Sequence, residues 1–173
     1  MVDKNAKDPF NKYINAFEDF FVSAEFEKYA KALKLSSEII ILGNGGSNSI
    51  ASHISQDLVK FKNKKSLSFS DSSMLTCFIN DFGMANAYVK FLKSYVSQKT
   101  LVILISSSGE SENIINCVKF LESSNSKYGV LTGFNKYNKV RKLSKKSLFN
   151  FHINSNNYGV VECLHQIFLH GAI

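Results

Sequence analysis

Short, uninterrupted apolar runs alternate along this chain with segments of helical periodicity. The three clearest runs span 39–42, 101–105 and 128–131, and weaker ones span 67–69 and 148–153. Apolar runs without polar alternation are typical of strands in a parallel sheet that is covered on both faces. The runs therefore predict the strands of a buried parallel sheet.

Helical spacing of apolar residues fills the segments between these runs. It predicts helices over 48–61, 85–96, 112–121 and from Gly159 to the end of the chain. Strands that alternate with helices form a doubly wound sheet with right-handed crossovers. The predicted fold class is therefore α/β, with a doubly wound parallel sheet as the middle of three layers.

The segment before the first strand also has apolar residues at helical spacing. They are Ile14, Phe17, Phe20, Phe21, Ala24, Phe26 and Tyr29. They predict an added N-terminal helix, over about residues 10–35, whose apolar face is wide enough to pack against a partner chain. No internal repeat, proline-rich linker or Gly/Ser spacer divides the chain, so we expect residues 1–173 to form a single domain, with the sheet and its crossover helices at about 36–173.

The composition is that of an ordinary globular protein, with 45% apolar and 20% charged residues. No apolar run is long enough to span a membrane, and residues 1–8 lack the apolar core of a secretion signal. We therefore expect the protein in the cytoplasm and no membrane partner. Cys77, Cys117 and Cys163 are scattered and form no C-x-x-C pair, so we interpret them as small core residues.

The formal net charge of +7 comes mostly from lysines in predicted loops and on helix surfaces. Such a charge is compatible with nucleic acid or with a small polyanionic ligand. The densest lysine runs, at 60–65 and 136–146, include only two aromatic residues and no arginine cluster. We therefore interpret both runs as solvated faces and expect no nucleic-acid partner.

Two of the predicted strands end in turns rich in glycine or serine. Gly43-Asn44-Gly45-Gly46-Ser47 follows the first strand, and Ser106 to Ser111 follows the strand at 101–105. Ligands of such sheets bind at the carboxyl ends of the strands. Unpaired N–H groups at the start of a helix, together with hydroxyl donors, suit a phosphate monoester. The first turn lacks the spacing of a dinucleotide or P-loop motif, so the two turns predict a smaller phosphorylated ligand.

Acidic and histidine side chains accompany these turns. His53 and Asp57 lie four residues apart on a predicted helix and so share a face. Glu162 and His170 lie about 12 Å apart along the last predicted helix. One ion could bind both only if their side chains lean together, and otherwise its ligands come from different chains. A facing histidine and carboxylate can isomerise an aldose and a ketose through an enediol, whose charge a divalent metal could stabilise.

These turns, with His53, Asp57 and the run Asn80-Asp81-Phe82-Gly83, resemble the motifs of the phosphoheptose isomerases, which have a sugar isomerase (SIS) domain. The resemblance covers nearly the whole chain with the motifs in order. It implies a flavodoxin-like sheet and a homotetramer with sites at subunit boundaries. It also implies conversion of sedoheptulose 7-phosphate into D-glycero-D-manno-heptose 7-phosphate, a precursor of bacterial surface polysaccharide.

The resemblance further implies roles for individual residues. His170 matches the catalytic histidine of the family, and Asp57 matches its catalytic glutamate. The positions that bind zinc in some members are His53, Asp57, Glu162 and His170. The positions that contact the sugar phosphate are Asn44, Gly45, Gly46, Ser47, Asp57, Asn80, Asp81, Ser106, Ser107, Ser108, Ser111 and Glu162. Two other histidines, His152 and His165, are expected to be structural or to lie at the surface.

Two of these positions depart from the family pattern. Asp57 is one methylene shorter than the usual glutamate, and Glu162 replaces a glutamine with a negative charge that should favour a cation and repel a phosphate. These departures leave open an isomerase of another ketose phosphate. A third alternative is a non-catalytic SIS adaptor that binds the bacterial replication initiator. That adaptor lacks both the carboxylate and the histidine that this chain keeps, and this favours an enzyme.

Overall fold

The computed structural model describes residues 11–18 and 24–173. In this part of the chain the strands are β1 (Glu38–Leu42), β2 (Lys65–Ser68), β3 (Thr100–Ser106), β4 (Lys127–Thr132) and β5 (Asn150–His152). They form one parallel sheet in the order β2-β1-β3-β4-β5. This is the flavodoxin-like order, so the predicted fold class and all the predicted strands are confirmed.

Helices precede and separate the strands. They are α1 (Asn11–Glu18), α2 (Ala24–Lys34), α3 (Gly46–Lys62), α4 (Ser72–Phe82), α5 (Met84–Tyr95), α6 (Glu112–Ser123), α7 (Lys139–Leu143) and α8 (Tyr158–His170). The predicted crossover helices correspond to α3, α5, α6 and α8, with ends that differ by three residues or fewer. The predicted N-terminal helix corresponds to α1 and α2, and its positions 10 and 19–23 lie outside the described residues, as do residues 1–9.

Two helices are absent from the sequence-based prediction. The first, α4, contains serine, threonine and cysteine, which are weak helix formers, and the structure buries none of its residues. The second, α7, has only five residues, too few for a periodic pattern to be recognised. Neither helix carries a buried apolar stripe of the length that made the other helices recognisable.

Apolar side chains cover both faces of the sheet. On one face, side chains of α2, α3 and α8 pack on the strands, with Tyr29, Ile54 and Phe168 at the centre. On the other face, α5 and α6 pack through side chains such as Phe91 and Val118. Every residue of β3 is buried between these two layers. The predicted three-layer arrangement is therefore confirmed.

The exposure of the cysteines differs from the prediction. Cys117 is buried in α6 as expected, but Cys77 and Cys163 are exposed and all three thiols are free. The interpretation of Cys77 and Cys163 as core residues was wrong, because each lies on the outward side of a helix that packs through its opposite side. No helix in the described ranges has the length and the apolar character needed to cross a bilayer.

Two histidines connect elements of the fold at the end of β4. His165 on α8 is fully buried, and its Nε2–H donates to the carbonyl of Thr132 at 3.1 Å. His152 lies 3.2 Å from the Thr132 hydroxyl through Nδ1. Burial lowers the pKa of each imidazole to about 4, with the Arg141 charge a further cause for His152. Their positions in the fold agree with the structural role expected from the sequence.

The burial of His165 predicts a stability that depends on pH. The imidazole takes up a proton near pH 6.5 in the unfolded chain but only near pH 4 in the folded protein, so stability present above pH 6.5 is lost as the pH falls through this window. The amide of His165→Gln can still donate to Thr132 but does not titrate. Between about pH 7.5 and about pH 5, we expect the free energy of unfolding to fall by about 2 kcal/mol less in this variant than in the wild type. Urea unfolding at both pH values measures this difference, and identical losses in the two proteins would contradict it.

Candidate functional site

The turn between β3 and α6 is held by hydrogen bonds within itself. The N–H of Gly109 donates to the carbonyl of Ser106 at 3.0 Å and to its hydroxyl at 3.2 Å. The hydroxyl of Ser108 accepts from the N–H of Glu110 at 3.2 Å. Gly109 has a φ of 67°, and a β-carbon there would lie 2.1 Å from the Asn138 side chain, so the turn requires glycine.

This serine turn meets the glycine-rich turn that follows β1. Leu42 lies opposite Leu104 in the parallel pairing of β1 with β3, so both turns leave the sheet at the same edge. Between them is a cavity of about 140 Å³, which we call the serine cavity. It is lined by Asn44, Ser47, Ile105, Ser106, Ser107, Ser108, Ser111, Tyr158 and Glu162. Seven of the residues predicted to contact a sugar phosphate are thereby brought together.

The donors around the serine cavity are backbone N–H groups, hydroxyls and the side-chain amide of Asn44. The N-cap residue of α6, Ser111, makes no hydrogen bond from its side chain to its own helix, whereas Asp71 and Asn157 cap α4 and α8 in this way. The side chain of Ser111 therefore leaves the first N–H groups of α6 uncapped, and the helix dipole adds partial positive charge at this end of the helix. Among the described residues that line the cavity there is no lysine or arginine.

Glu162 brings a negative charge to this otherwise donor-rich cavity. A β-carbon on Gly46 would lie 2.6 Å from Oε2 of Glu162, so the carboxylate packs against the first residue of α3. A carboxylate at a helix N-terminus is favourable for the helix dipole. The same negative charge opposes the entry of a phosphate into the serine cavity, whose wall includes Glu162.

A second group of polar side chains lies further along α3 and α8. Oδ2 of Asp57 is 3.4 Å from Nε2 of His53 and 3.2 Å from Nε2 of His170. The Nδ1–H of His170 donates to the carbonyl of Gln166 at 2.9 Å, and this orients Nε2 towards Asp57. Asp57 is buried, His53 is exposed and His170 is half-buried. We call His53, Asp57 and His170 the acid–base cluster.

The acid–base cluster is suited to a metal ion. Each of its residues offers one ligand atom, and these atoms lie within 4.8 Å of one another. Two imidazole nitrogens and a carboxylate oxygen form a donor set that zinc accepts, with a fourth position left open. Three of the four residues predicted to bind zinc are thus together. The fourth, Glu162, is not part of this group, because it lies about 12 Å back along α8 in the wall of the serine cavity.

The acid–base cluster does not line the serine cavity of the same chain. Ten residues of α3 separate Ser47 from Asp57, which corresponds to about 15 Å along the helix axis. A polar groove of about 440 Å³ runs over the exposed side of α3 from Asn48 to His53. Its other lining residues are Ser49, Ser52, Gln56 and Ser70.

Four predicted contact residues lie outside these two groups, and one of them, Gly46, packs against the carboxylate of Glu162. Asn80 and Asp81 are exposed on the last turn of α4, where the Asn80 amide donates to the Asp81 carboxylate at 3.0 Å. Neither lines the serine cavity. Gly45, with a φ of 54°, is exposed at the start of α3. The structure therefore does not bring Asn80 and Asp81 to the other predicted contacts, and their role stays a prediction.

Other residues of the site were missed by the sequence analysis. Asn113 on α6 exchanges two side-chain hydrogen bonds with Asn44, and the hydroxyl of Tyr88 donates to the carbonyl of Gly43 at 3.0 Å. Tyr158 lines the serine cavity. Asn113 could have been recognised from the sequence. It lies four residues before Cys117 and therefore places an amide on the buried face of α6.

The chain has relatives among curated proteins, although no family model matches it. The phosphoheptose isomerase of Buchnera aphidicola subsp. Acyrthosiphon pisum is 34% identical over 120 residues, which cover 66% of this chain and 62% of that protein. The phosphoheptose isomerase of Cytophaga hutchinsonii is 33% identical over 107 residues, or 59% of this chain and 56% of that protein. The chain thus matches less than two thirds of the length of these relatives.

Solved structures show the same fold. A phosphoheptose isomerase of Neisseria gonorrhoeae superimposes with a TM-score of 0.84 and 21% identity, covering 94% of this chain and 92% of that one. One from Francisella tularensis gives the same TM-score and identity, with 94% and 91% covered. The resemblance to phosphoheptose isomerases drawn from the sequence is therefore confirmed, and the fold is that of their SIS domain.

Proposed function

We propose that this protein is a phosphoheptose isomerase that interconverts sedoheptulose 7-phosphate and D-glycero-D-manno-heptose 7-phosphate. The observation that carries the proposal is the hydrogen-bonded pair of Asp57 and His170, on a fold shared with phosphoheptose isomerases. A non-catalytic adaptor would have no need of this pair. The product would supply heptose for a bacterial surface polysaccharide. We place the enzyme in the cytoplasm, because a charged sugar phosphate does not cross a bilayer unaided.

The phosphate of the substrate would occupy the serine cavity. Its volume of about 140 Å³ suits a phosphate group rather than a whole sugar. The hydroxyls of Ser106, Ser108 and Ser111 and the first N–H groups of α6 would donate to the phosphate oxygens. Because these donors are held by the turn itself, little ordering would be needed when the phosphate binds.

The chemistry would take place at the acid–base cluster. Asp57 would act as the base that removes a proton from carbon 1 of the ketose, and the electrons of that C–H bond would form the enediol. His170, whose Nε2 faces the carboxylate, would move a proton between the two enediol oxygens. Return of the proton to carbon 2 completes the aldose. The hydrogen bond from Nδ1 to Gln166 keeps the imidazole in the orientation that this transfer requires.

His53, Asp57 and His170 would also form a zinc site, and an ion bound there would occupy Nε2 of His170 and so exclude proton transfer by this atom. When bound, the ion would supply positive charge that stabilises the enediolate oxygen in place of that transfer. The exposure of His53 leaves one side of the cluster accessible to substrate and solvent.

The separation of the two groups supports a homotetramer with shared sites. Eight covalent bonds link the phosphorus of a heptulose 7-phosphate to carbon 1, where Asp57 would act. An extended chain of that length covers about 10 Å, which is less than the distance of about 15 Å from Ser47 to Asp57 along the axis of α3. The acid–base cluster of a neighbouring chain would therefore act on the sugar whose phosphate the first chain binds. Exposed apolar side chains lie close to the cluster in sequence, Val59 and Phe61 on α3 and Ile167 on α8, and such side chains are typical of a contact surface.

Turnover of sedoheptulose 7-phosphate by the purified protein tests this function. We expect His170→Ala to lower kcat by about 100-fold or more, because it removes the group that transfers the proton. Cys163→Ser, on the exposed side of the same helix, should leave kcat unchanged. Sedimentation velocity of both variants reports whether the assembly is intact.

Three outcomes would contradict the proposal in different ways. Turnover restricted to a pentulose or hexulose phosphate would identify another ketose phosphate isomerase. No turnover of any ketose phosphate, together with tight binding of a replication initiator protein, would identify the adaptor. Full activity of His170→Ala would show that Asp57 and His170 are not the acid–base pair of the reaction.

Glu162 should weaken phosphate binding through its charge. We expect Glu162→Gln to lower the Kd for inorganic phosphate by about fivefold, which corresponds to about 1 kcal/mol for one partly screened charge. Glu110→Gln is the matched control, since Glu110 is exposed, pairs with Lys139 at 3.0 Å and does not line the cavity. Isothermal titration calorimetry measures both affinities. An unchanged or weaker affinity in Glu162→Gln would contradict the position inferred for this charge.

Zinc binding at the acid–base cluster can be measured separately from turnover. Calorimetric titration of metal-free protein should show one zinc ion per chain, and His53→Ala should weaken its binding by about tenfold or more. Cys163→Ser controls for binding by an exposed thiol and should not change the affinity. The metal role would be excluded if chelation removed all zinc and left turnover unchanged.

A further inference from the structure

A reciprocal pair of amides connects the two turns that form the serine cavity. Nδ2 of Asn44 donates to Oδ1 of Asn113 at 3.0 Å, and Nδ2 of Asn113 donates to Oδ1 of Asn44 at 2.8 Å. Asn44 belongs to the turn after β1, whereas Asn113 lies in the first turn of α6, directly after the serine turn. The pair therefore joins two strand–turn–helix units that are otherwise connected through the sheet.

The environments of the two amides differ. Asn113 is buried, with 4% of its surface exposed, and it does not line the serine cavity. Asn44 is half-buried and lines the cavity. In the pair each amide uses its oxygen and one N–H, so Asn44 keeps a second N–H that a ligand can accept from. The two hydrogen bonds to Asn113 therefore leave the second N–H of Asn44 as the donor that is available to a ligand.

We propose that Asn113 is a positioning residue of the sugar-phosphate site, a proposal that rests on the proposed function. It orients the donor that Asn44 presents to the substrate, and it sets the distance between the glycine-rich turn and the serine turn. It acts only through Asn44 and touches no substrate. The hydrogen bond from Tyr88 on α5 to Gly43 supports the same turn, so the turn is held at two successive residues.

The structure supplies a matched residue for a purely structural role. Asn116 lies one turn further along α6, is half-buried, and donates through Nδ2 to the carbonyl of Ala85 at 3.0 Å. It therefore connects α6 to α5 through a side-chain amide, as Asn113 connects α6 to the glycine-rich turn after β1. It does not contribute to the wall of the serine cavity.

The test compares Asn113→Leu, Asn116→Leu, Asn44→Ala and the double variant Asn44→Ala/Asn113→Leu. The melting temperature, kcat and KM for sedoheptulose 7-phosphate, and the Kd for inorganic phosphate are measured for each. We expect both leucine variants to lower the melting temperature, and Asn113→Leu alone to lower kcat/KM by about tenfold. In the Asn44→Ala background, Asn113→Leu should cause no further loss, because its effect passes through Asn44.

Equal effects of Asn113→Leu and Asn116→Leu on kcat/KM, or additive losses in the double variant, would overturn the positioning role and leave the isomerase intact. If the wild type turns over no ketose phosphate, the proposed function fails, and the Kd for inorganic phosphate decides the role of Asn113 through the same comparison. Wild-type protein that neither turns over a sugar phosphate nor binds phosphate would overturn both.

Discussion

The parallel pairing of β1 with β3 is the interaction on which the candidate site depends. It ends both strands at one edge of the sheet, so the turns that follow them meet there. The pairing is held in place because β3 is buried along its whole length between two apolar layers. A shift of this register would separate Asn44 from Asn113 and remove the cavity between the turns. The position of the proposed anion site is thus a consequence of sheet packing.

Charge is distributed unusually in the serine cavity for a site that would receive a phosphate. Its donors are backbone N–H groups, serine hydroxyls and the side-chain amide of Asn44, and the carboxylate of Glu162 stands among them. The carboxylate is placed well for the dipole of α3 but poorly for an incoming dianion. A glutamine there would keep the shape of the side chain and remove the repulsion. In the proposed function this position tunes the affinity for phosphate, whereas the turn determines the class of ligand.

The packing of α3 against α8 assembles the acid–base cluster at a different place on the same two helices. His53 and Asp57 come from α3, and His170 comes from the last turn of α8. Both helices are anchored to the sheet by apolar side chains such as Ile54 and Phe168, so the hydrogen bond between Asp57 and His170 does not depend on a flexible loop. Catalytic geometry held by rigid elements is more accurate than geometry held by loops. The distance between this cluster and the serine cavity is what makes assembly part of the proposed mechanism.

Much of this molecule follows from local pattern in the sequence. Apolar runs identified each strand of the described residues, and helical periodicity identified α3, α5, α6 and α8, because the burial of a strand or of a helix face is visible in neighbouring residues. The proximity of His53 and Asp57 also follows from the sequence, since residues four apart on a helix always share a face. Short or weakly buried helices such as α4 and α7 carry too little of this signal.

Tertiary structure alone decided the contacts between residues that are distant in sequence. His170 meets Asp57 across 113 residues, and Asn113 meets Asn44 across 69. Glu162 lies against Gly46, away from the cluster to which the motif had assigned it. The exposure of Cys77 and Cys163 likewise depends on which side of a helix is covered. Periodicity reports that a helix has a buried side, but the partner of that side is set by long-range packing, which no local pattern contains.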